Sequence, residues 1–295
     1  MLGAIVGDIV GSVYERRGNA VKTLDFSLFS DHSHWTDDTV LTMVVADTLL
    51  NGRPYGETIR AYALEHPHAG FGGMFRRWFS TPGSKPYNSF GNGSAMRVSP
   101  VGWAFDTLEE TLAEAQRSAE VTHNHPEGIK GRQSVAAGIF LARTRVSKDD
   151  VWDALETRFG YDLHRTYEEI QPSCSFDETC QRSVPEALIC ALTTTSFEDA
   201  IRRAVALGGD ADTQAAIPGS IAEASYGGVP EDISTEARGR LTPRSSSASS
   251  TPSRICTTFR AHSPSSKLLR HSPARVVIPA NVGIQADCHE VSLLC

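Results

Sequence analysis

Three evenly spaced glycines constrain the fold of this chain most strongly. The N-terminal segment GAIVGDIVGSVYE predicts a helix that ends at Glu15. It places Gly3, Gly7 and Gly11 on one face of that helix, because residues four positions apart share a face. Glycine is unfavourable inside a helix, so three glycines on one face indicate close packing against another helix. The segment therefore predicts a core built by helix-on-helix packing.

Helical periodicity continues along most of the chain. Apolar residues recur with a 3.6-residue period over 40–50, where Asn51-Gly52 ends the stripe, and Ser147 stands as an N-cap before VWDALETRF. Strand signals are scarce, since no series of alternating Val/Ile/Thr runs is present. We therefore predict an all-α fold with one domain over residues 1–241. Further helical stripes cover 108–121, 131–143 and 184–193.

The end of the chain has a different composition. Residues 242–295 contain 11 serines and the low-complexity run RSSSASSTPS, with no sustained periodicity. Two interpretations are open, a natural disordered tail and out-of-frame translation. The stretch ARVVIPANVGIQ is similar to peptides read through from bacterial intergenic repeats, which favours the second. Under either interpretation we expect the segment to lie outside the packed domain.

Composition narrows the function classes. The net charge is −7, but residues 1–241 carry −11 and residues 242–295 carry +4, so the main domain is too acidic for a general nucleic-acid binder. No run of 18 apolar residues is present, and the apolar N-terminus lacks a basic region before it. We therefore expect no membrane span, no secretory signal and a cytoplasmic location. The six cysteines lack CxxC spacing, which is typical of free thiols.

Two acidic clusters lie at the starts of helical stretches, WTDDT at 35–39 and GGDADT at 208–213. An Asp or Thr at a helix start caps free N–H groups, so capping explains part of each cluster. Capping requires only one side chain, however, whereas neighbouring carboxylates raise the energy unless a cation neutralises them. Oxygen ligands of this kind suit Mg²⁺ or Mn²⁺ rather than zinc. If the two helix starts meet, they offer enough ligands for two adjacent ions.

Five motifs resemble those of the ADP-ribosylglycohydrolase family, which includes the dinitrogenase-reductase-activating glycohydrolase. Their order and spacing fit across about residues 1–241. The resemblance implies a compact orthogonal helical bundle with two Mg²⁺ ions, for which Mn²⁺ substitutes. It also implies a hydrolase that cleaves the N- or O-glycosidic bond between ADP-ribose and a protein side chain or small acceptor. We expect the protein to be a monomer. The motifs are GAIVGDIVGSVYE (3–15), WTDDT (35–39), GNGSAMRVSP (91–100), HNHPEGIKG (123–131) and GGDADTQAAIPGSIAEASYGG (208–228).

The same resemblance assigns individual residues. Glu15, Asp37 and Asp38 are the candidates for proton transfer in catalysis, and which one acts stays open. Loops rich in glycine leave backbone N–H groups exposed, and these groups can bind a diphosphate. The implied metal ligands are Thr36, Asp37, Asp38, Asp210, Asp212 and Thr213, and the implied ADP-ribose contacts are Gly72, Gly73, Asn92, Gly93, Ser94, His123 and His125.

Two alternatives remain at this point. Three HxH pairs, at 32/34, 66/68 and 123/125, allow a zinc hydrolase with a (β/α)₈ barrel, although such a barrel requires eight apolar strand runs that the sequence lacks. The other alternative is an ADP-ribose-binding protein of the same fold that has lost catalysis. The intact TDDT, GDADT and Glu15 argue against that loss.

Overall fold

The computed structural model describes residues 1–15 and 18–241 of the 295-residue chain, and the predicted tail at 242–295 lies outside the described residues. Within them the chain forms helices and no β-strand, apart from one bridge between Gly91 and Thr179. The all-α prediction is therefore confirmed, and the barrel alternative is wrong because its strands are missing from this part of the chain. The helices are α1 (Leu2–Gly11), α2 (Asp37–Asn51), α3 (Tyr55–Glu65), α4 (Gly73–Ser80), α5 (Ser99–Ala104), α6 (Leu108–Ala119), α7 (Pro126–Arg143), α8 (Lys148–Phe159), α9 (Tyr167–Ile170), α10 (Cys180–Leu192), α11 (Phe197–Ala206), α12 (Ala211–Ser225) and α13 (Glu231–Leu241), with a 3-10 turn at Asn92–Ser94.

The close approach predicted from the glycine face occurs between α1 and α12. A Cβ built on Gly7 would fall 2.5 Å from the backbone nitrogen of Ala216, and one built on Gly11 would fall 2.5 Å from Cα of Asp212. Real Cβ atoms essentially never come within 3.0 Å of another heavy atom, so only glycine permits this packing. Helices α7, α10 and α11 also pack on α12, which makes it the central helix of the bundle.

Several helix ends lie where local chemistry predicts them. Gly52 ends α2 in the left-handed region with φ of 62°, and the Ser147 hydroxyl caps α8 by accepting the backbone N–H of Asp150 at 3.1 Å. Helices α7 and α10 begin five and four residues before the predicted stripes. Their first turns contain residues such as Pro126 and Gly128, which carry no apolar periodicity.

Helix α1 is shorter than the sequence suggested. The expectation that it runs to Glu15 is wrong, because α1 ends at Gly11 and a turn follows. The Ser12 hydroxyl donates to the Ile9 carbonyl at 3.0 Å and accepts the backbone N–H of His34 at 3.2 Å. These bonds tie the end of α1 to the segment before α2 and place Glu15 on a loop.

A cluster of buried apolar side chains joins α1, α2, α7, α10, α11 and α12. Because α2 and α12 are anchored in this core, their N-terminal turns are held on rigid elements, which a site of defined geometry requires. Among the described helices, none has the length and apolarity needed to cross a bilayer.

Candidate functional site

The two acidic clusters meet at the N-termini of α2 and α12. The Thr213 hydroxyl lies 3.2 Å from Oδ2 and 3.4 Å from Oδ1 of Asp38. The cap of α2 is Thr36, whose hydroxyl accepts the backbone N–H of Asp38 at 3.3 Å. Asp210 occupies the cap position of α12, but its side chain makes no cap hydrogen bond. Capping therefore accounts for Thr36 and leaves the Asp210 carboxylate with another role.

Asp8 on α1, which is not among the site residues predicted from the sequence, organises the first cluster. Its carboxylate accepts the backbone N–H of Thr36 at 2.9 Å and of Thr39 at 3.0 Å, and both threonine hydroxyls also donate to it. Burial and the nearby Asp212 carboxylate raise the pKa of Asp8 to about 6, although the threonine hydrogen bonds oppose the rise. The sequence did carry a signal, since Asp8 is the charged residue in the otherwise uncharged segment LGAIVGDIVG, which the structure buries entirely.

The electrostatics of the cluster favour a bound cation. Burial and, next, repulsion by Asp212 raise the pKa of Asp37 and Asp38 well above the usual carboxyl value. The same two causes raise the pKa of Asp210, which the hydrogen bond from Asn92 lowers in part. Buried like charges are costly without a counter-charge, and the donors here are all oxygen atoms. These residues therefore fit a hard divalent cation.

Glu15 lies beside the second cluster. One carboxylate oxygen from each of Glu15, Asp210 and Asp212 can be chosen so that the three atoms lie within 4.8 Å of one another. In the described part of the chain this is the group of His, Cys, Asp or Glu side chains that could hold a metal ion, and it contains no histidine. The resemblance gave Glu15 a catalytic role only, so its place among possible ligands is a result of the tertiary structure.

The GFGG loop (residues 70–73) approaches the acidic cluster at the start of α2. Gly70 has a φ of +110°, and a Cβ built there would fall 3.0 Å from Oδ1 of Asp37. Only glycine therefore suits this position. Gly72 caps the start of α4 and Gly73 is its first residue, and a Cβ on either would meet nothing within 4 Å. Gly72 and Gly73 are the glycines predicted from the sequence, whereas the glycine that the backbone geometry requires is Gly70, which was not predicted.

The GNGS motif forms the 3-10 turn beside the second cluster. Asn92 is buried, and its Nδ2 donates to Oδ2 of Asp210 at 2.6 Å. Ser94 is also buried, and its hydroxyl donates to the Gly128 carbonyl at 2.8 Å. The side chains of Asn92 and Ser94 thus face protein groups. The backbone around Gly93 is the part of this turn that remains for a ligand.

The two histidines of the HNHP motif have different surroundings. His125 is the N-cap of α7, where its Nδ1 accepts the backbone N–H of Glu127 at 3.1 Å, and its ring lies 5.3 Å from that of Phe90. His123 is buried, and its Nε2 faces the glycine turn, 3.4 Å from a Cβ built on Gly93. The structure therefore brings His123 to the turn and gives His125 a capping bond.

The fold and the site together define an all-α protein with buried carboxylates from two helix starts. A sequence model of the family described as ADP-ribosylglycohydrolase matches residues 1–252. The chain therefore belongs to the ADP-ribosylglycohydrolase family, and the resemblance drawn from its motifs is confirmed.

Individual relatives agree with this assignment. ADP-ribosylhydrolase ARH3 of Mus musculus is 26% identical over 77% of this chain and 82% of that protein. ADP-ribosylarginine hydrolase Tri1 of Pseudomonas putida (strain GB-1) is 27% identical over 79% of this chain and 71% of that protein. A solved structure titled ADP-ribosylglycohydrolase-related protein complex has a TM-score of 0.63 and 26% identity, covering 81% of this chain and 94% of that chain. The predicted enzyme class and fold are confirmed.

Proposed function

We propose that this enzyme hydrolyses the N- or O-glycosidic bond at C1″ of ADP-ribose in an ADP-ribosylated protein or small molecule. The observation that carries the proposal is the meeting of buried carboxylates from the starts of α2 and α12, with Glu15 beside them. Glycosidic cleavage passes through an oxocarbenium-like state and requires one group that manages the leaving-group proton and one that activates water. The cluster offers carboxylates for both tasks.

The proposed cofactor is a pair of Mg²⁺ ions, which Mn²⁺ can replace. When bound, such ions supply positive charge that orients the ribose hydroxyls and a water molecule. The Thr36 hydroxyl donates to Asp8 and accepts the backbone N–H of Asp38, and the Thr213 hydroxyl donates to Asp38, so each oxygen keeps at least one lone pair for ligation. The residues that would hold the ions are Thr36, Asp37, Asp38, Asp210, Asp212 and Thr213, as the motifs imply.

Among the three candidates for proton transfer, we favour Glu15. It is half-buried on a loop, whereas Asp38 is fully buried and accepts the Thr213 hydroxyl. Asp37 lies against the Gly70 backbone, which limits its reach toward a substrate. A carboxylate on a loop beside the cluster can contact the scissile bond or its water while the other carboxylates hold the cations.

The glycine segments are proposed to hold the diphosphate of ADP-ribose. Backbone N–H groups at a helix start attract anions, and Gly72 and Gly73 form the exposed start of α4 near Asp37. The turn around Gly93 lies next to Asp210, because the Asn92 side chain in this turn donates to the Asp210 carboxylate. The two segments thus border the acidic cluster and leave its carboxylates for the ribose end of the ligand.

The acceptor and the cofactor are tested together by a release assay. Tri1 is named for ADP-ribosylarginine, so arginine-linked ADP-ribosyl peptide is the first substrate and serine-linked peptide is the second. We expect release of free ADP-ribose with Mg²⁺ or Mn²⁺ and none after exhaustive chelation. Full activity after chelation would contradict the metal-dependent proposal.

Variants separate catalysis from binding. The double variant Asp210→Ala and Asp212→Ala should lose Mg²⁺ binding in calorimetry and lose ADP-ribose release. Asp153→Ala, which removes an exposed carboxylate on α8, is the matched control and should retain both. If the unmodified enzyme binds ADP-ribose but releases none from any substrate, the binding-protein alternative replaces this proposal.

A further inference from the structure

His123 has two ring nitrogens in different environments. Its Nδ1 lies 2.8 Å from the Thr122 hydroxyl, whereas Nε2 faces the glycine turn, 3.4 Å from a Cβ built on Gly93 and 3.7 Å from one built on Gly91. Within the described residues, the His123 side chain makes one hydrogen bond, which joins it to the Thr122 hydroxyl. The donor and acceptor roles in that one bond therefore determine where the proton of the neutral ring resides.

The surroundings of Thr122 settle the direction of this bond. Arg97 Nη2 donates to the Thr122 hydroxyl oxygen at 2.8 Å, and a guanidinium can only donate. Thr122 is fully buried, and in the described part of the chain its hydroxyl has two hydrogen-bond partners, Nη2 of Arg97 and Nδ1 of His123. If Nδ1 carried the proton, the hydroxyl hydrogen would have no acceptor, and buried donors are rarely left unpaired. The hydroxyl therefore donates to Nδ1.

The charges around the ring keep it neutral. Burial, followed by repulsion from Arg97 and Arg132, lowers the pKa of His123 well below its usual value. Both arginines are fully buried, and burial is the main cause that lowers their own pKa values, to about 10 and about 9. They remain cationic at neutral pH, so a second proton on the imidazole is disfavoured. A neutral ring whose Nδ1 accepts a hydrogen bond carries its proton on Nε2.

We propose that Arg97 and Thr122 are positioning residues that hold His123 as the Nε2–H tautomer, so that Nε2–H donates to an anionic oxygen of the ligand at the glycine turn. This inference rests on the proposed function, in which that oxygen belongs to the diphosphate of ADP-ribose. Gly93 has a second role in this arrangement, because any Cβ there would stand in front of Nε2. The hydrogen bonds from Arg97 to Thr122 and from Thr122 to His123 thus fix the orientation of the imidazole ring that faces the ligand.

The tautomer is measured directly in the unmodified, ligand-free protein by ¹⁵N NMR of imidazole-labelled histidine. An unprotonated ring nitrogen resonates far downfield of a protonated one, so the two tautomers are distinguished. The chain contains 10 histidines, and the resonances lost in His123→Gln assign the signal. We expect a protonated Nε2 and an unprotonated Nδ1. The opposite assignment, or an equal mixture, would overturn the proposal without reference to ADP-ribose.

Paired variants test the chain of hydrogen bonds. Thr122→Val removes the hydroxyl, so the ring should become a mixture of tautomers and ADP-ribose affinity in calorimetry should fall roughly tenfold. Thr122→Ser retains the hydroxyl and should keep both the tautomer and the affinity. A Thr122→Val protein with the wild-type tautomer would overturn the assigned role of Thr122. Circular dichroism confirms that each variant is folded.

Two more variants test the donor without relying on Thr122. His123→Gln keeps an N–H donor near the position of Nε2, whereas His123→Asn keeps one near Nδ1, so His123→Gln should retain more ADP-ribose affinity. Gly93→Ala should lower the affinity while leaving the tautomer unchanged. Equal affinities of the Gln and Asn variants would overturn the donation to ligand. If the unmodified protein binds no ADP-ribose, the proposed function fails, but the tautomer measurement still decides whether Arg97 and Thr122 orient the ring.

Discussion

Gly11→Ala tests whether the packing of α1 on α12 holds the candidate site in place. Gly11 is the last residue of α1, and a Cβ there would fall 2.5 Å from Cα of Asp212, with the Ala211 carbonyl closer still. Ordinary van der Waals contact begins at 3.4 Å, so the backbone at Asp212 must move by about 0.9 Å. The atoms that the new Cβ would meet belong to the backbone of Ala211 and Asp212, so they cannot move away by a side-chain rotation.

Both stability and activity should respond to this displacement. Overpacking typically costs about 1–3 kcal/mol, and we expect the upper end because no flexible side chain is available to adjust. For a domain of this size, about 3 kcal/mol lowers the melting temperature by roughly 6–12 °C. A shift of about 1 Å in a positioned group can reduce the rate about 100-fold, so ADP-ribose release should fall by that order.

The assays are urea unfolding, calorimetric Mg²⁺ binding and ADP-ribose release, each at a temperature where the variant is folded. Gly7→Ala, whose Cβ would meet α12 at Ala216 instead, should lose similar stability with a smaller loss of Mg²⁺ affinity. Gly56→Ala in α3 is the matched control, because a Cβ there meets nothing within 4 Å. A Gly11→Ala enzyme with wild-type release and an unfolding free energy within about 0.5 kcal/mol of wild type would show that this packing does not hold the site in place.

Asp8, solution pH and the segment after Leu241 give three further tests. In Asp8→Asn, an amide NH₂ faces the N–H donors of Thr36 and Thr39 and cannot accept their hydrogen bonds. In saturating Mg²⁺ the free energy of unfolding should therefore fall by about 2 kcal/mol. An unchanged urea midpoint would contradict this role of Asp8. Because the pKa of Asp8 is raised from 3.8 to about 6, the chelated folded protein binds more protons than the unfolded chain between these values and loses stability as pH rises. The difference in melting temperature between Mg²⁺ and EDTA samples should therefore grow across this range, and a constant difference would contradict the expectation. A chain ending at Leu241 should keep the activity of the full chain, and its failure to fold by circular dichroism would count against the predicted domain 1–241.

Sequence patterns were enough to predict the all-α class, several of the helices and the two halves of the candidate site. A stripe of period 3.6, a serine cap such as Ser147 and a terminating glycine such as Gly52 act over a few neighbouring residues, so they can be read without tertiary information. The TDDT and GDADT clusters were recognisable for the same reason, because each is contiguous. The glycine spacing even predicted a close helix partner, although it could not say which helix.

How these pieces combine depends on contacts between segments that are far apart in the sequence. Thr213 donates to Asp38, which is 175 residues away in the sequence, and Thr36 donates to Asp8, which is 28 residues away. Burial, hydrogen-bond partners and the field of neighbouring charges depend on atoms from remote segments, which no local pattern specifies. The threonine bonds to Asp8, the approach of Gly70 to Asp37 and the place of Glu15 near Asp210 follow from packing, because α1, α2 and α12 must share one core before their polar ends can meet.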